Sequence, residues 1–222
     1  MGSFEALSGY YERPLFEIAQ DLNYDLSNIY ILKGDEYILK VEFPDIYSNL
    51  LSCNHNKDKR TALEYAQDLV ASWIFEDNLI FDLRYSGLNI KKAGADKHRI
   101  ILPNSKVSAG SDTKILVNNK EFHLEIMCDY TGFWTREEHA DLRDDKFKRL
   151  LREKALFLGF DLSNQKYLLI DFTQPVEARY IPSHRPYGGK PAYSVILKNM
   201  HSLLPIDLDK IVSEIIMLIN MR

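Results

Sequence analysis

The chain has 222 residues, 45% of them hydrophobic and 27% charged, and a formal net charge of -4. This length falls where a single large domain is expected, and the composition is that of an ordinary globule rather than a disordered or low-complexity chain. No apolar run approaches the ~20 residues that span a bilayer, and the start Met1-Gly2-Ser3 lacks the marks of a signal peptide, so a cytoplasmic protein is expected.

In chain order, Ile29 to Phe43 reads as a β-hairpin, because β-branched and aromatic residues flank a Gly34-Asp35 turn. It would be part of an N-terminal elaboration over residues 1–60. Cys53 and Cys128 are the only cysteines, too few for a disulfide framework or a thiolate zinc site, and Cys53-Asn54-His55 reads as a solvated loop. Thr61-Ala62-Leu63-Glu64 is a capping box. The apolar positions Leu63, Ala66, Leu69, Val70, Trp73 and Ile74 follow at helical spacing, which predicts a helix over about 62–77.

A short strand and turn are expected between Ser86 and Arg99, where Gly87 to Lys91 alternates and then meets Gly94. Asp112–Val117 and Glu121–Tyr130 read as two further strands joined by Asn118-Asn119, since Asn tolerates the left-handed backbone of a two-residue hairpin loop. A charged amphipathic helix is expected from about Arg136 to Leu158, stopped by Gly159. Tyr167–Phe172 reads as a buried strand. Leu208–Met221 reads as an apolar helix, with Asp207 as its cap.

The chemistry is carried by the second hairpin. With a two-residue loop at Asn118-Asn119, the register counts back to set Asp112 directly opposite Glu125, on one face of the sheet. Directly opposed side chains have Cβ atoms ~4.5–5.5 Å apart, where two carboxylates repel unless a cation lies between them. A hard divalent ion such as magnesium suits that pair, because it favours oxygen ligands and needs few protein carboxylates.

Helix, strand, hairpin with an acid on each arm, helix and buried strand, from Thr61 to Phe172, resembles the PD-(D/E)xK nuclease superfamily. The motif here is Ser111-Asp112 followed by Glu125-Ile126-Met127. The resemblance covers about half of the chain and, within the family, is closest to a type II restriction endonuclease. It implies an α/β (α+β) fold with a restriction-endonuclease-like core: a central mixed β-sheet flanked by helices, an N-terminal hairpin and a C-terminal helix. It also implies one domain over 1–222, divided into the elaboration, a core at 61–172 and a DNA-contact loop with the C-terminal helix at 173–222. The implied activity is magnesium-dependent hydrolysis of duplex DNA at a short palindrome. A homodimer is implied too, since two-fold symmetric DNA is matched by two-fold symmetric protein. Asp112 and Glu125 would hold Mg2+.

One position departs from the family. The usual motif Lys would stand at Met127, and a thioether cannot polarise water. Lys114, two residues after Asp112 and opposite His123, is the nearest replacement, with Lys146 and Lys148 on the following helix as second choice. The departure leaves open a non-cleaving nuclease-fold DNA-binding protein, and among enzymes a junction-resolving or repair nuclease. Second-rank acids are Glu64, better read as a capping residue, Glu76, Asp96 and Asp129. His123 shares the face of Glu125 but reads as structural.

The stretch from Ala178 to Ile206 contains no Asp or Glu. Within it, His184-Arg185-Pro186-Tyr187 and Gly188-Gly189-Lys190 combine bases, an aromatic and glycines. Arg185, Lys190, His184 and Tyr187 are therefore the candidate DNA contacts, because Arg and Lys read guanine edges and glycine lets backbone approach phosphate.

Overall fold

The computed structural model describes residues 3–53, 60–103, 106, 110–198 and 201–222. The chain is α+β and divides into two compact units, residues 1–78 with 95–108, and residues 79–94 with 109–222. Asn54 and His55 lie outside the described residues. Among the described residues no helix is long and apolar enough to cross a membrane.

The first unit is helical: α1 (Ser3–Tyr10), α2 (Leu15–Asp21), α3 (Leu26–Lys33), α4 (Glu36–Glu42), α5 (Pro44–Cys53) and most of α6 (Ala62–Tyr85). The expected hairpin at Ile29–Phe43 is instead the pair α3 and α4. Gly34 does break the chain, but at φ 70° it ends α3, and Asp35 begins α4 by accepting from the Ile38 amide at 3.2 Å. Ile29, Ile31, Leu32 and Leu39 are buried there, so burial overrides their β propensity. The capping box at the start of α6 forms as expected, with the Thr61 amide donating to Glu64 Oε2 (2.6 Å) and the Glu64 amide to Thr61 Oγ1 (3.2 Å). The helix runs eight residues past the predicted end.

The second unit carries a mixed six-stranded sheet in the order β1 (Ile90–Lys92), β2 (Thr113–Val117), β3 (Lys120–Asp129), β5 (Leu156–Asp161), β6 (Lys166–Asp171), β9 (Leu204–Pro205). Only β3 and β5 run parallel. Between them the chain forms α7 (Phe133–Glu137), β4 (His139–Arg143) and α8 (Asp144–Glu153). β4 joins β8 (Lys190–Ile196) and β7 (Ala178–His184) in a separate antiparallel sheet.

The single helix expected from Arg136 to Leu158 is therefore broken: α8 and the end of α7 are helical, but β4 lies between them and β5 follows α8. α8 ends at Lys154, whose φ of 50° is left-handed, and Ala155 to Asp161 is fully buried chain in which Leu156, Phe157, Leu158 and Phe160 pack on both faces of the sheet. A run buried on both sides loses the alternation that marks a strand in sequence. Asn118 and Asn119, at φ 49° and 61°, close the β2–β3 hairpin as expected.

The register fixes which side chains share a face. Glu125 pairs Phe157 and Met127 pairs Gly159, while Phe157 pairs Ile170 and Gly159 pairs Leu168. Phe157, Leu168 and Ile170 form a core with Phe147 and Leu150 of α8, Trp134, and Ala140, Leu142 and Val195 of the smaller sheet. On the opposite face Tyr167 donates to Glu214 of α9 (Leu208–Asn220) at 2.9 Å, and α9 buries Ile211, Ile215 and Ile219. Helices thus flank both faces of the sheet. Asp207 caps α9 as expected, accepting from the Lys210 amide at 3.0 Å.

Candidate active site

β2 and β3 pair with Thr113 opposite Leu124 and Val117 opposite Lys120. Continued by one residue, the register sets Asp112 opposite Glu125, on the face that α8 covers. Asp112 is half-buried, and its Oδ2 accepts from the Ile126 amide at 3.2 Å, while its own carbonyl accepts from Ala93 at 2.8 Å. Asp112 is thereby held at the end of β2, its main chain by Ala93 and its carboxylate by the Ile126 amide.

Glu125 is buried, with a side chain 1% exposed, and neither oxygen is bare. Lys146 Nζ lies 2.5 Å from Oε1, and Arg149 Nη2 donates to Oε2 at 2.8 Å. Both cations come from α8, three residues apart on one helix face. Burial pushes the Glu125 carboxyl up, but Lys146 and Arg149 outweigh it and hold the group below the ordinary carboxylate range. Burial likewise pushes the Lys146 ammonium down, and Glu125 and then Asp112 more than reverse it. Asp112 and Glu125 are thus two acids whose repulsion is relieved by Lys146 and Arg149.

Arg149 is itself anchored. Its Nη1 donates to Ser111 Oγ (3.3 Å) and lies 3.6 Å from Glu153 Oε2, to which Ser111 Oγ also donates (2.5 Å). His123 Nδ1 stands 3.8 Å from the same Glu153 oxygen.

Of the lysines considered for the motif, Lys146 is the one brought to Glu125. Lys114 pairs with Glu121 at 2.7 Å, towards the hairpin tip, and together with Lys91 pulls that carboxyl down to about 2. Lys148 pairs with Asp144 of its own helix. Met127 packs against the apolar core, beside Gly159 and Trp134. Asp129 bonds the turn it precedes, accepting from the amides of Thr131 and Trp134 at 2.8 Å. Glu76 and Asp96 belong to the first unit, where they and Asp77 converge on Arg99.

Arg185 and Lys190 are exposed on the β7–β8 hairpin. His184 and Tyr187 face inward: His184 Nε2 is 2.7 Å from Asp141 Oδ2, and Tyr187 donates to the Asp141 carbonyl at 2.7 Å. Ser194 bonds the other Asp141 oxygen, so one carboxylate rivets β4, β7 and β8 together. Burial and then Asp141 push the Tyr187 hydroxyl up, against the opposing charges of Lys146 and Arg143.

Sequence reasoning did not single out Arg149 or Glu153, and it named Ser111 only as the residue before Asp112. The spacing of Lys146, Arg149 and Glu153 was visible, but a mixed-charge helix reads as solvated until the sheet face that it covers is known. Among the described residues no group of three or more His, Cys, Asp or Glu is arranged to hold a metal. Two carboxylates still fit magnesium, which is commonly held by one or two and keeps several waters. No protein-family model matches the chain, and no curated protein matches it either.

Proposed function

We propose that the chain is a magnesium-dependent endonuclease of duplex DNA with a restriction-endonuclease-like core. The observation that carries this reading is the convergence of Asp112, Glu125 and Lys146 on one sheet face. They come from the order α6, β1, β2, β3, α8, β5, with α7 and β4 inserted before α8 and with β5 parallel to β3. That is the order of the superfamily that the sequence resembles, with the lysine supplied by the helix in place of position 127.

In this reading Asp112 and Glu125 hold Mg2+, which supplies Lewis-acid polarisation of the phosphodiester and acidifies water. The protein's own part is positioning. Asp112 is fixed by the Ile126 amide, Glu125 by Arg149, and Lys146 supplies a flexible positive charge beside both acids. The exposed Arg185 and Lys190 are the proposed DNA contacts, which a mobility-shift titration of Arg185→Ala and Lys190→Ala checks: unchanged affinity and salt slope remove them. Cleavage at a short palindrome by a homodimer, as in a type II restriction enzyme, follows from symmetry matching and belongs to the same proposal.

A second reading, a nuclease-fold protein that binds DNA without cleaving it, is favoured by the ion-paired state of both Glu125 oxygens and by the apolar setting of Met127. Incubating the protein with supercoiled plasmid in Mg2+ and then in EDTA separates the two. Metal-dependent nicking supports the enzyme, and DNA binding without nicking supports the second reading. Preference for branched over linear duplex would redirect the enzyme to junction resolution or repair.

A further inference from the structure

An acid that ligates a cation has to be aimed, and its oxygen has to be released when the cation arrives. The two cations on Glu125 are held very differently. The Arg149 side chain is 7% exposed, and its guanidinium is braced from behind by Ser111 and Glu153 while it grips Glu125 Oε2. Lys146 is more open at 23%, and meets Oε1 through a single ammonium on a flexible stem. A planar guanidinium with a fixed fork of donors defines direction, whereas an ammonium is a point charge that can swing away.

We propose, resting on the endonuclease reading, that Arg149 is a positioning residue that aims Glu125 at Asp112, and that Lys146 is a placeholder cation displaced from Oε1 when a divalent ion binds. The charges support an exchange. Asp112, Glu125 and Glu153 carry three negative charges and Lys146 and Arg149 two positive ones, so a divalent ion added without displacement leaves a positive excess. Withdrawal of Lys146 relieves it, and the displaced ammonium becomes a donor for the anionic phosphate of the substrate. The brace of Ser111 and Glu153 keeps Arg149 in place meanwhile, so Glu125 keeps its aim.

Calorimetric titration of Mg2+ alone into the full chain without DNA tests this. Lys146→Met and Lys146→Gln are expected to bind Mg2+ at least about tenfold more tightly than the starting protein, because a competing like charge is gone. Arg149→Lys, which keeps the charge but loses the fork, is expected to bind about tenfold more weakly, in the range usual for groups that orient a metal ligand. Near-ultraviolet circular dichroism of each variant confirms that the fold is retained, and Lys146→Gln stands in should Lys146→Met unfold. Mg2+ binding that is abolished by Asp112→Asn but not tightened in either Lys146 variant overturns the placeholder and leaves the endonuclease reading standing. Unchanged affinity in Arg149→Lys overturns the positioning role. Absence of Mg2+ binding in every variant, or binding indifferent to Asp112→Asn, overturns both the inference and the reading beneath it.

Discussion

Lys146 of α8 reaches across the sheet face to Glu125 of β3, with Nζ 2.5 Å from Oε1, whereas Lys114, the lysine nearest to Asp112 in sequence, turns away to Glu121. Cleavage is therefore expected to fall about 100-fold or more in Lys146→Ala, the scale on which one preorganised charge donor acts. Lys114→Ala and Lys148→Ala are expected to stay near the starting rate. Met127→Lys is expected to gain nothing, because its ammonium would enter the apolar core beside Trp134. Initial cleavage rates of the four variants check this, and a large gain in Met127→Lys would point instead to a chain inactivated at that position.

Glu125 and Asp112 are expected to differ in stability, though not in activity. Removing Glu125 takes from the buried Arg149 its 2.8 Å partner and leaves it only Ser111 and Glu153, and losing one partner of a buried ion pair costs about 3–5 kcal/mol. Asp112 is half-buried, and Lys146, whose charge it supports, keeps Glu125 as its ion-pair partner when Asp112 is removed. Urea unfolding should place Glu125→Ala well below Asp112→Ala, with cleavage lost in both. Equal midpoints would mean that Glu153 and Ser111 suffice to hold Arg149.

The sequence made the hairpin legible because two adjacent asparagines at its turn and the alternation of β3 are local signals, and from these the opposition of Asp112 and Glu125 follows by counting. It hid β4 and β5. Ala155 to Phe160 is apolar on both faces and follows a charged helix without a proline, so α8 and β5 merged into one apparent helix. Tyr167–Phe172 is indeed a strand, but antiparallel β6, and the parallel partner of β3 is β5. The N-terminal helices failed for the reverse reason, since alternating Ile, Tyr and Leu suggest a strand until burial decides. Arg149 became recognisable only once α8 was known to lie over Glu125.

Gly159 tests the packing that keeps position 127 apolar. A Cβ there would stand 2.6 Å from Trp134 Cζ3 and 3.2 Å from Leu168 Cδ2. Gly159→Ala is expected to cost about 1–3 kcal/mol through overpacking. Thermal unfolding measures it, and a neutral result would show that the indole can yield.

The first unit contains a proton-sensitive cluster. Arg99 Nη1 lies 2.9 Å from Glu76 and Nη2 2.6 Å from Asp77. Burial pushes the Glu76 carboxyl from 4.5 up to about 7, with Arg99 opposing and Asp96 reinforcing the shift. Between those two values the folded chain keeps a proton that the unfolded chain releases. This group therefore makes stability fall as pH rises from about 4.5 to 7, with no further change above. Glu76→Gln is expected to flatten that slope. Denaturation of both proteins across the window checks this, and parallel curves would assign Glu76 an ordinary pKa.

The central claim is that the acids opposed across β2 and β3 perform metal-dependent hydrolysis. The most direct measurement is the initial rate at which supercoiled plasmid is nicked in Mg2+ by the starting protein and by Asp112→Ala, with the fold of each verified by circular dichroism. Nicking by the starting protein that vanishes in EDTA and in Asp112→Ala is the expected result. A folded starting protein that leaves the plasmid intact, or an Asp112→Ala variant that nicks at the same rate, would contradict it.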